Sequence, residues 1–233
     1  MKKNKEVCDP RYGKCPIPES LRFIKQEKKR LKLIQKEFDE GFSFLYRLKK
    51  TVTIFGSARF SPRNPYYKLA YNVARALAKD GFTIVTGGGG GIMEAGNKAA
   101  YDVGSGSVGL NIELPHEQRV NDYVKQAMSF HYFFSRKVML SASAQAYVYF
   151  PGGYGTLNEL FEIIELIQTR KMERVPIILV GSSFWKPLVT FLAKDLATKH
   201  RAISPEDVGI FEVVDTPKEV LAIVRNAPER RVF

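Results

Sequence analysis

Pro151-Gly152-Gly153-Tyr154-Gly155-Thr156-Leu157-Asn158-Glu159 is the stretch from which the fold can be read. The apolar run 146–150 before it reads as a buried strand, and the amphipathic pattern 160–168 after it reads as a helix. Three glycines at a strand-to-helix turn let backbone come close to a ligand without side-chain obstruction. They also aim free N–H groups and the positive end of a helix dipole at that ligand. An anion, most often a phosphate, is what such a turn attracts. Glu159, three residues past Thr156, is expected in the first helical turn beside the anion. Thr156 and Glu159 also spell a capping box, in which the two side chains satisfy backbone donors at a helix start. Both readings of Glu159 stand at this point.

Outward from this turn the chain alternates β-rich runs with helical patterns. Strands are expected at 51–55, 82–86, 107–111, 146–150, 176–180 and 210–214. Helical patterns fill 66–79, 92–103, 132–143, 157–169, 184–198 and 217–226. That order implies an α/β protein: a Rossmann-like, doubly wound parallel sheet with helices on both faces. Right-handed crossovers put every strand's C-terminal end on one edge, where ligands bind.

Four segments should meet on that edge. Gly56-Ser57-Ala58-Arg59 ends the first strand, and the run Gly87-Gly88-Gly89-Gly90-Gly91 ends the second and leads into Ile92-Met93-Glu94. Phe133-Phe134-Ser135-Arg136-Lys137 opens the helix before the fourth strand, and the 151–159 turn completes the set. The helix that carries Arg136 near its start runs antiparallel to the sheet, so its early residues share the edge with the glycine turns. Arg136 and Glu159 therefore converge although they are far apart in sequence. Duller roles exist for each part: a merely flexible glycine loop, or an Arg136 paired to a surface carboxylate. The rings of Phe130, Tyr132, Phe133 and Phe134 read as core packing, with one of them available to line a pocket.

Several chemistries are disfavoured. The stretch 104–109 matches G-x-G-x-x-G but enters a strand, the reverse of the dinucleotide-binding context. The five-glycine run fails that spacing at Ile92, and no Walker A lysine pattern or G-x-S-x-G elbow occurs. His116, His131 and His200 are scattered without ligand spacing, so no metal site is expected.

Ahead of this unit, residues 1–50 form a basic extension, giving a division into 1–50 and 51–233. The extension holds 15 Lys/Arg against 7 Asp/Glu, or +8 of the +12 total, which leaves +4 for 51–233. Within it, Leu21, Ile24, Leu31, Ile34, Phe38, Phe42 and Leu45 recur at helical spacing over 20–49. This reads as a docking helix with a solvated basic face, and nucleic-acid binding is the less favoured alternative. No run of about 18 apolar residues is present, so no membrane span is expected. Cys8 and Cys15 both lie in the extension, which excludes a disulfide framework in the core. A reduced, cytoplasmic protein is the simplest expectation.

The motifs together are recognisable. Residues 151–159 resemble the PGGxGTxxE signature of the LONELY GUY family, long labelled "lysine decarboxylase-like" and comprising cytokinin riboside 5′-monophosphate phosphoribohydrolases. Arg136-Lys137 matches the family's RK pair, and 87–95 is similar to its GGGPGIMEA form. The resemblance covers about 51–200. It implies a homodimer that needs no cofactor and cleaves the N-glycosidic bond of a nucleoside 5′-monophosphate, AMP or a cytokinin riboside 5′-monophosphate. It places catalytic roles on Arg136 and Glu159. Substrate contacts fall on Ser57, Gly88, Gly89, Gly91, Glu94, Lys137, Gly152, Gly153, Tyr154, Gly155 and Thr156, with the PGG turn and Thr156 at the 5′-phosphate. A carrier of a phosphorylated ligand of the molybdopterin type is the alternative. The chain departs from the pattern at Asn158, where the family carries an acid, and at Gly90, where it carries proline.

Overall fold

Strand β1, Thr51–Phe55, is flanked by β2, Thr83–Thr86, on one side and by β5, Ala146–Tyr149, on the other, parallel to both. In this computed structural model, residues 19–113 and 120–228 are described, with side chains from residue 26 onward. Cys8, Cys15 and His116 lie outside them. Beyond β2 come β3, Ser107–Ile112, and β4, Gln126–Phe130; beyond β5 come β6, Ile177–Val180, and β7, Phe211–Val214. The seven strands take the order β4-β3-β2-β1-β5-β6-β7 and every pairing is parallel. The order reverses direction at β1, so the doubly wound sheet has its switch point between β1 and β5.

Six expected strands are present, and β4 is the addition. Its sequence, QAMSF, has no β-branched residue and shows no buried–exposed alternation, because it lies at the edge of the sheet with only Phe130 buried. The inner strands are apolar on both faces, as parallel strands covered on two sides must be. Val52, Ile54, Ile84, Val148, Ile178 and Val180 face α2 (Pro65–Lys79), α3 (Ile92–Val103) and α7 (Pro217–Arg225). Phe55, Leu110, Tyr147, Tyr149 and Leu179 face the other layer with α4 (Phe133–Ala142), α5 (Tyr154–Gln168) and α6 (Ser182–Phe191). Each fully buried aliphatic side chain contributes about 1.5–3 kcal/mol relative to exposure. The pattern expected at 184–198 begins as α6 and continues as a π-helical segment, Leu192–Lys199.

The extension contributes α1, Glu19–Tyr46. Its C-terminal half docks on the second layer, where Phe38, Phe44, Leu45 and the following Leu48 pack against the core. Gly41 lets α1 come down onto α4, since a methyl there would collide with the Met139 side chain.

Candidate active site

The switch point is built from two backbone crossings. Phe150 N donates to Phe55 O at 2.9 Å and Ser57 N donates to Pro151 O at 3.0 Å, so the turns after β1 and β5 lie side by side. They border a cavity of about 770 Å³ at the C-terminal edge of the sheet. Gly56, Ser57, Ala58 and Arg59 form one wall, and Gly152, Gly153, Tyr154, Gly155, Thr156 and Glu159 form another. Arg136 and Phe133 enter from α4, and Gly87 and Met93 from the five-glycine region.

The 151–159 turn differs from the sequence expectation in one respect. Helix α5 starts at Tyr154, directly after Gly153, rather than at Leu157. Thr156 is therefore already inside the first turn, and Glu159 sits in the second. The capping box does not form: α5 has no side-chain cap, so its leading N–H groups point to the cavity without a protein side chain to satisfy them. Thr156 instead closes over Gly152, where any Cβ would strike the threonine side chain.

Glu159 is 9% exposed, and its Oε2 has no hydrogen-bond partner among the described residues. Burial pushes its pKa from 4.5 up to about 7; Arg136 opposes that rise, Glu162 adds to it and Lys137 opposes it. A buried carboxyl without a partner costs stability, and such unpaired groups concentrate where a ligand is to be met.

Arg136 is held from one side. Its Nε donates to Leu110 O of β3 at 2.8 Å, and its terminal nitrogens lie against Gly87, where a Cβ would strike Nη2. Burial pulls the guanidinium pKa below its ordinary value and Glu159 partly restores it. Arg136 and Glu159 form no ion pair with each other among the described residues, so the cation and the acid address the same space without neutralising each other.

Lys137 does not line the cavity. It makes a 2.7 Å ion pair with Glu162, one helical turn beyond Glu159, and so ties α4 to α5. The five-glycine turn is also employed differently from the expectation. Gly88 and Gly89 carbonyls accept from Asn121 Nδ2 at 3.2 and 2.9 Å, and Gly88 N donates to Thr86 Oγ1. Gly91, at φ +65°, crosses Ser57 so closely that a Cβ would overlap the Ser57 carbonyl. Glu94 accepts from the Tyr67 hydroxyl at 2.9 Å. None of Gly88, Gly89, Gly91 and Glu94 borders the cavity; of this run of glycines only Gly87 does. Arg59, Phe60, Met93, Phe133 and Phe184 are lining residues that motif reading did not single out. Arg59, Met93 and Phe133 stood within segments expected at this edge, but spacing alone cannot say which side chain of a segment turns inward.

A doubly wound parallel sheet with an uncapped helix end, a buried acid and an anchored arginine at its switch point defines a Rossmann-like α/β protein. Residues 93–224 match the family described as possible lysine decarboxylase, and the chain belongs to that family, the one its motifs resemble. It is similar to a probable cytokinin riboside 5′-monophosphate phosphoribohydrolase of Oryza sativa subsp. japonica, with 28% identity over 177 residues, 75% of this chain and 82% of the relative. A cytokinin riboside 5′-monophosphate phosphoribohydrolase of Rhodococcoides fascians is 25% identical over 181 residues, 72% of this chain and 90% of that one. Among solved structures, the molybdenum cofactor carrier protein of Chlamydomonas reinhardtii superposes with a TM-score of 0.57 at 18% identity, covering 77% of this chain and 98% of the other. That likeness is one of fold. Among the described residues no helix is long and apolar enough to cross a membrane, and no cluster of His, Cys, Asp and Glu could hold a metal ion.

Proposed function

We propose that the protein hydrolyses the N-glycosidic bond of a nucleoside 5′-monophosphate, AMP or a prenylated relative, to the free base and ribose 5-phosphate. One observation carries the reading: the unpartnered carboxyl of Glu159 faces the same cavity as the uncapped N-terminus of α5 and the Arg136 guanidinium. The names of the relatives from Oryza sativa and Rhodococcoides fascians support it.

The 5′-phosphate is assigned to the α5 N-terminus, where backbone donors and the dipole favour an anion and Thr156 stands ready. Arg136 clamps the ribose phosphate, and its Nε anchor on β3 keeps the fork in one orientation. As the C1′–N bond breaks, its electron pair leaves with the base, which takes up a proton, and positive charge grows on the ribose ring. Ionised Glu159 stabilises that charge and accepts a proton from the water whose oxygen attacks C1′. The apolar lining of Met93, Ile112, Phe133 and Phe184 suits a nucleobase.

The residues do not fit the decarboxylase chemistry in the family's description. A pyridoxal enzyme requires a lysine at the reacting centre; among the described residues no lysine borders the cavity, and Lys137 is engaged by Glu162. The test is release of free base from a panel of nucleoside monophosphates by wild type and Glu159→Gln. Release by the wild type that is lost in the variant supports the reading. A ligand that co-purifies tightly, with no turnover of any nucleotide, would point to a carrier instead.

A further inference from the structure

Helix α4 carries Arg136 into the cavity, yet it is poorly provided for at its own start. It has no side-chain cap and no acidic residue in its first turn. It also places two cations, Arg136 and Lys137, close to the end of a helix that already bears positive partial charge. Such a start needs a carboxylate, and α1 supplies one. Glu37, only 6% exposed, accepts through Oε1 from the backbone N–H of His131 and through Oε2 from the Ser135 hydroxyl. Ser135 is the residue before Arg136, and the Arg136 N–H makes the first hydrogen bond of α4, to Tyr132 O at 3.2 Å.

The contact belongs to a continuous seam. Arg30 lies over the Tyr132 ring at 5.6 Å, and Gly41 abuts Met139 farther along α4. Arg30, Glu37 and Gly41 are spaced by seven and four residues, which puts them on one face of α1. That face follows α4 from its first turn to its middle.

We infer that the N-terminal helix is part of the catalytic apparatus: Glu37 is a positioning residue that ties the entry of α4 to its first turn, through the His131 N–H and the Ser135 hydroxyl, and thereby holds Arg136 against β3 and the cavity. This rests on the hydrolase reading for its kinetic consequence, though not for its structural one. Glu37 reaches no cavity-lining atom itself; it acts on Arg136 through the backbone at 131–135. The basic extension then has a function beyond covering apolar surface, because losing it unseats the clamp.

The experiment uses the full chain with Glu37→Ala, Glu37→Gln and Ser135→Ala, each also made in an Arg136→Ala background. Base release from AMP gives kcat and KM, and the ¹⁵N signal of Arg136 Nε–H reports its bond to Leu110 without any ligand. Glu37→Ala is expected to lower kcat/KM by about 10- to 100-fold, mainly in kcat, as for a misplaced clamp, and to expose Arg136 Nε–H to solvent exchange. Glu37→Gln, which keeps an acceptor, should recover most of both. In the Arg136→Ala background Glu37→Ala should cost nothing more. The inference is overturned if Glu37→Ala leaves the Arg136 signal protected. A loss by the same factor with and without Arg136, as a merely structural role would give, overturns it too. Should Glu37→Ala fail to fold, Ser135→Ala, which removes one of the two donors, carries the same tests with a smaller expected effect. A wild type that releases no base sinks the hydrolase reading alone; the Arg136 signal still decides on Glu37.

Discussion

Two glycine-rich turns leave the sheet on the same edge, each passing from a parallel strand into a helix, yet their glycines serve opposite ends. After β5, Gly153 and Gly155 have open space where a Cβ would be, and that space is the cavity. After β2, Gly91 has the Ser57 carbonyl where its Cβ would be, while the Gly88 and Gly89 carbonyls are taken by Asn121. In the first turn Gly153 and Gly155 leave open volume beside the cavity, while Gly152 makes way for the Thr156 side chain. The second turn withholds side chains so that the chain can cross itself. Both look alike in sequence; what separates them is whether the neighbouring backbone or the solvent occupies the vacated volume.

The largest expected effect follows from the open turn. Glu159→Gln should lower kcat by about 10²–10⁴-fold, the range for loss of a general base, measured as base release from AMP. The same variant inverts the usual cost of a mutation. Because the Glu159 pKa is about 7 in the folded chain against 4.5 unfolded, the native state holds its proton more tightly, and stability drains away as pH rises between those values. Glutamine cannot ionise, so Glu159→Gln should be more stable than wild type at pH 8, by about 3 kcal/mol at most. The advantage should shrink as pH falls through 7 and vanish near 4.5, which denaturant titrations at several pH values would show. Wild-type kcat/KM should rise with pH through about 7, since the ionised form is the one that works.

The crossed turn comes next. Gly91→Ala forces a left-handed backbone on alanine and drives a methyl into Ser57, so a loss of about 2–4 kcal/mol is expected from urea unfolding. If Gly91→Ala were instead neutral for stability and harmful only to ligand affinity, the contrast between the turns would collapse. The smallest effect belongs to Gly155→Ala. Lying within α5 beside open space, it should stabilise the fold by up to about 1 kcal/mol through helix propensity. It should nevertheless weaken ribose 5-phosphate binding by about tenfold, or 1.4 kcal/mol, read by calorimetry.

The inner strands were legible because burial on both faces leaves continuous apolar runs such as 146–150 and 177–180. Edge strand β4 was not, since its residues answer to solvent rather than to a core. The convergence of Arg136 and Glu159 on the cavity was legible from topology, which puts the start of α4 and the turn after β5 on one edge. Glu159's depth was not: capping motifs mark a helix start only when the helix begins where the motif says, and Gly153 let α5 begin three residues early. The tertiary partners of Glu94 and Lys137, Tyr67 and Glu162, were likewise not legible, since they come from other elements of the chain. Glu37 gave no sequence signal at all. Its partner groups are a backbone amide and a hydroxyl some 94 and 98 positions away, and nothing in its own helix distinguishes it from neighbouring acids.

The pairing of β1 with both β2 and β5 has a consequence for synthesis. β2 follows β1 within a few dozen residues and can join it at once, but the other neighbour of β1, Ala146–Tyr149, lies more than 90 positions downstream in register with it. Until that strand arrives, Ser57 has no Pro151 carbonyl to bond and Glu159 has not been made. Closing so long a loop is entropically slow. A nascent chain can therefore assemble half of the sheet while exposing the bare flank of its central strand. The cavity edge is completed only after the turn that follows β5 has been made, and whatever shelters that flank during translation also protects it.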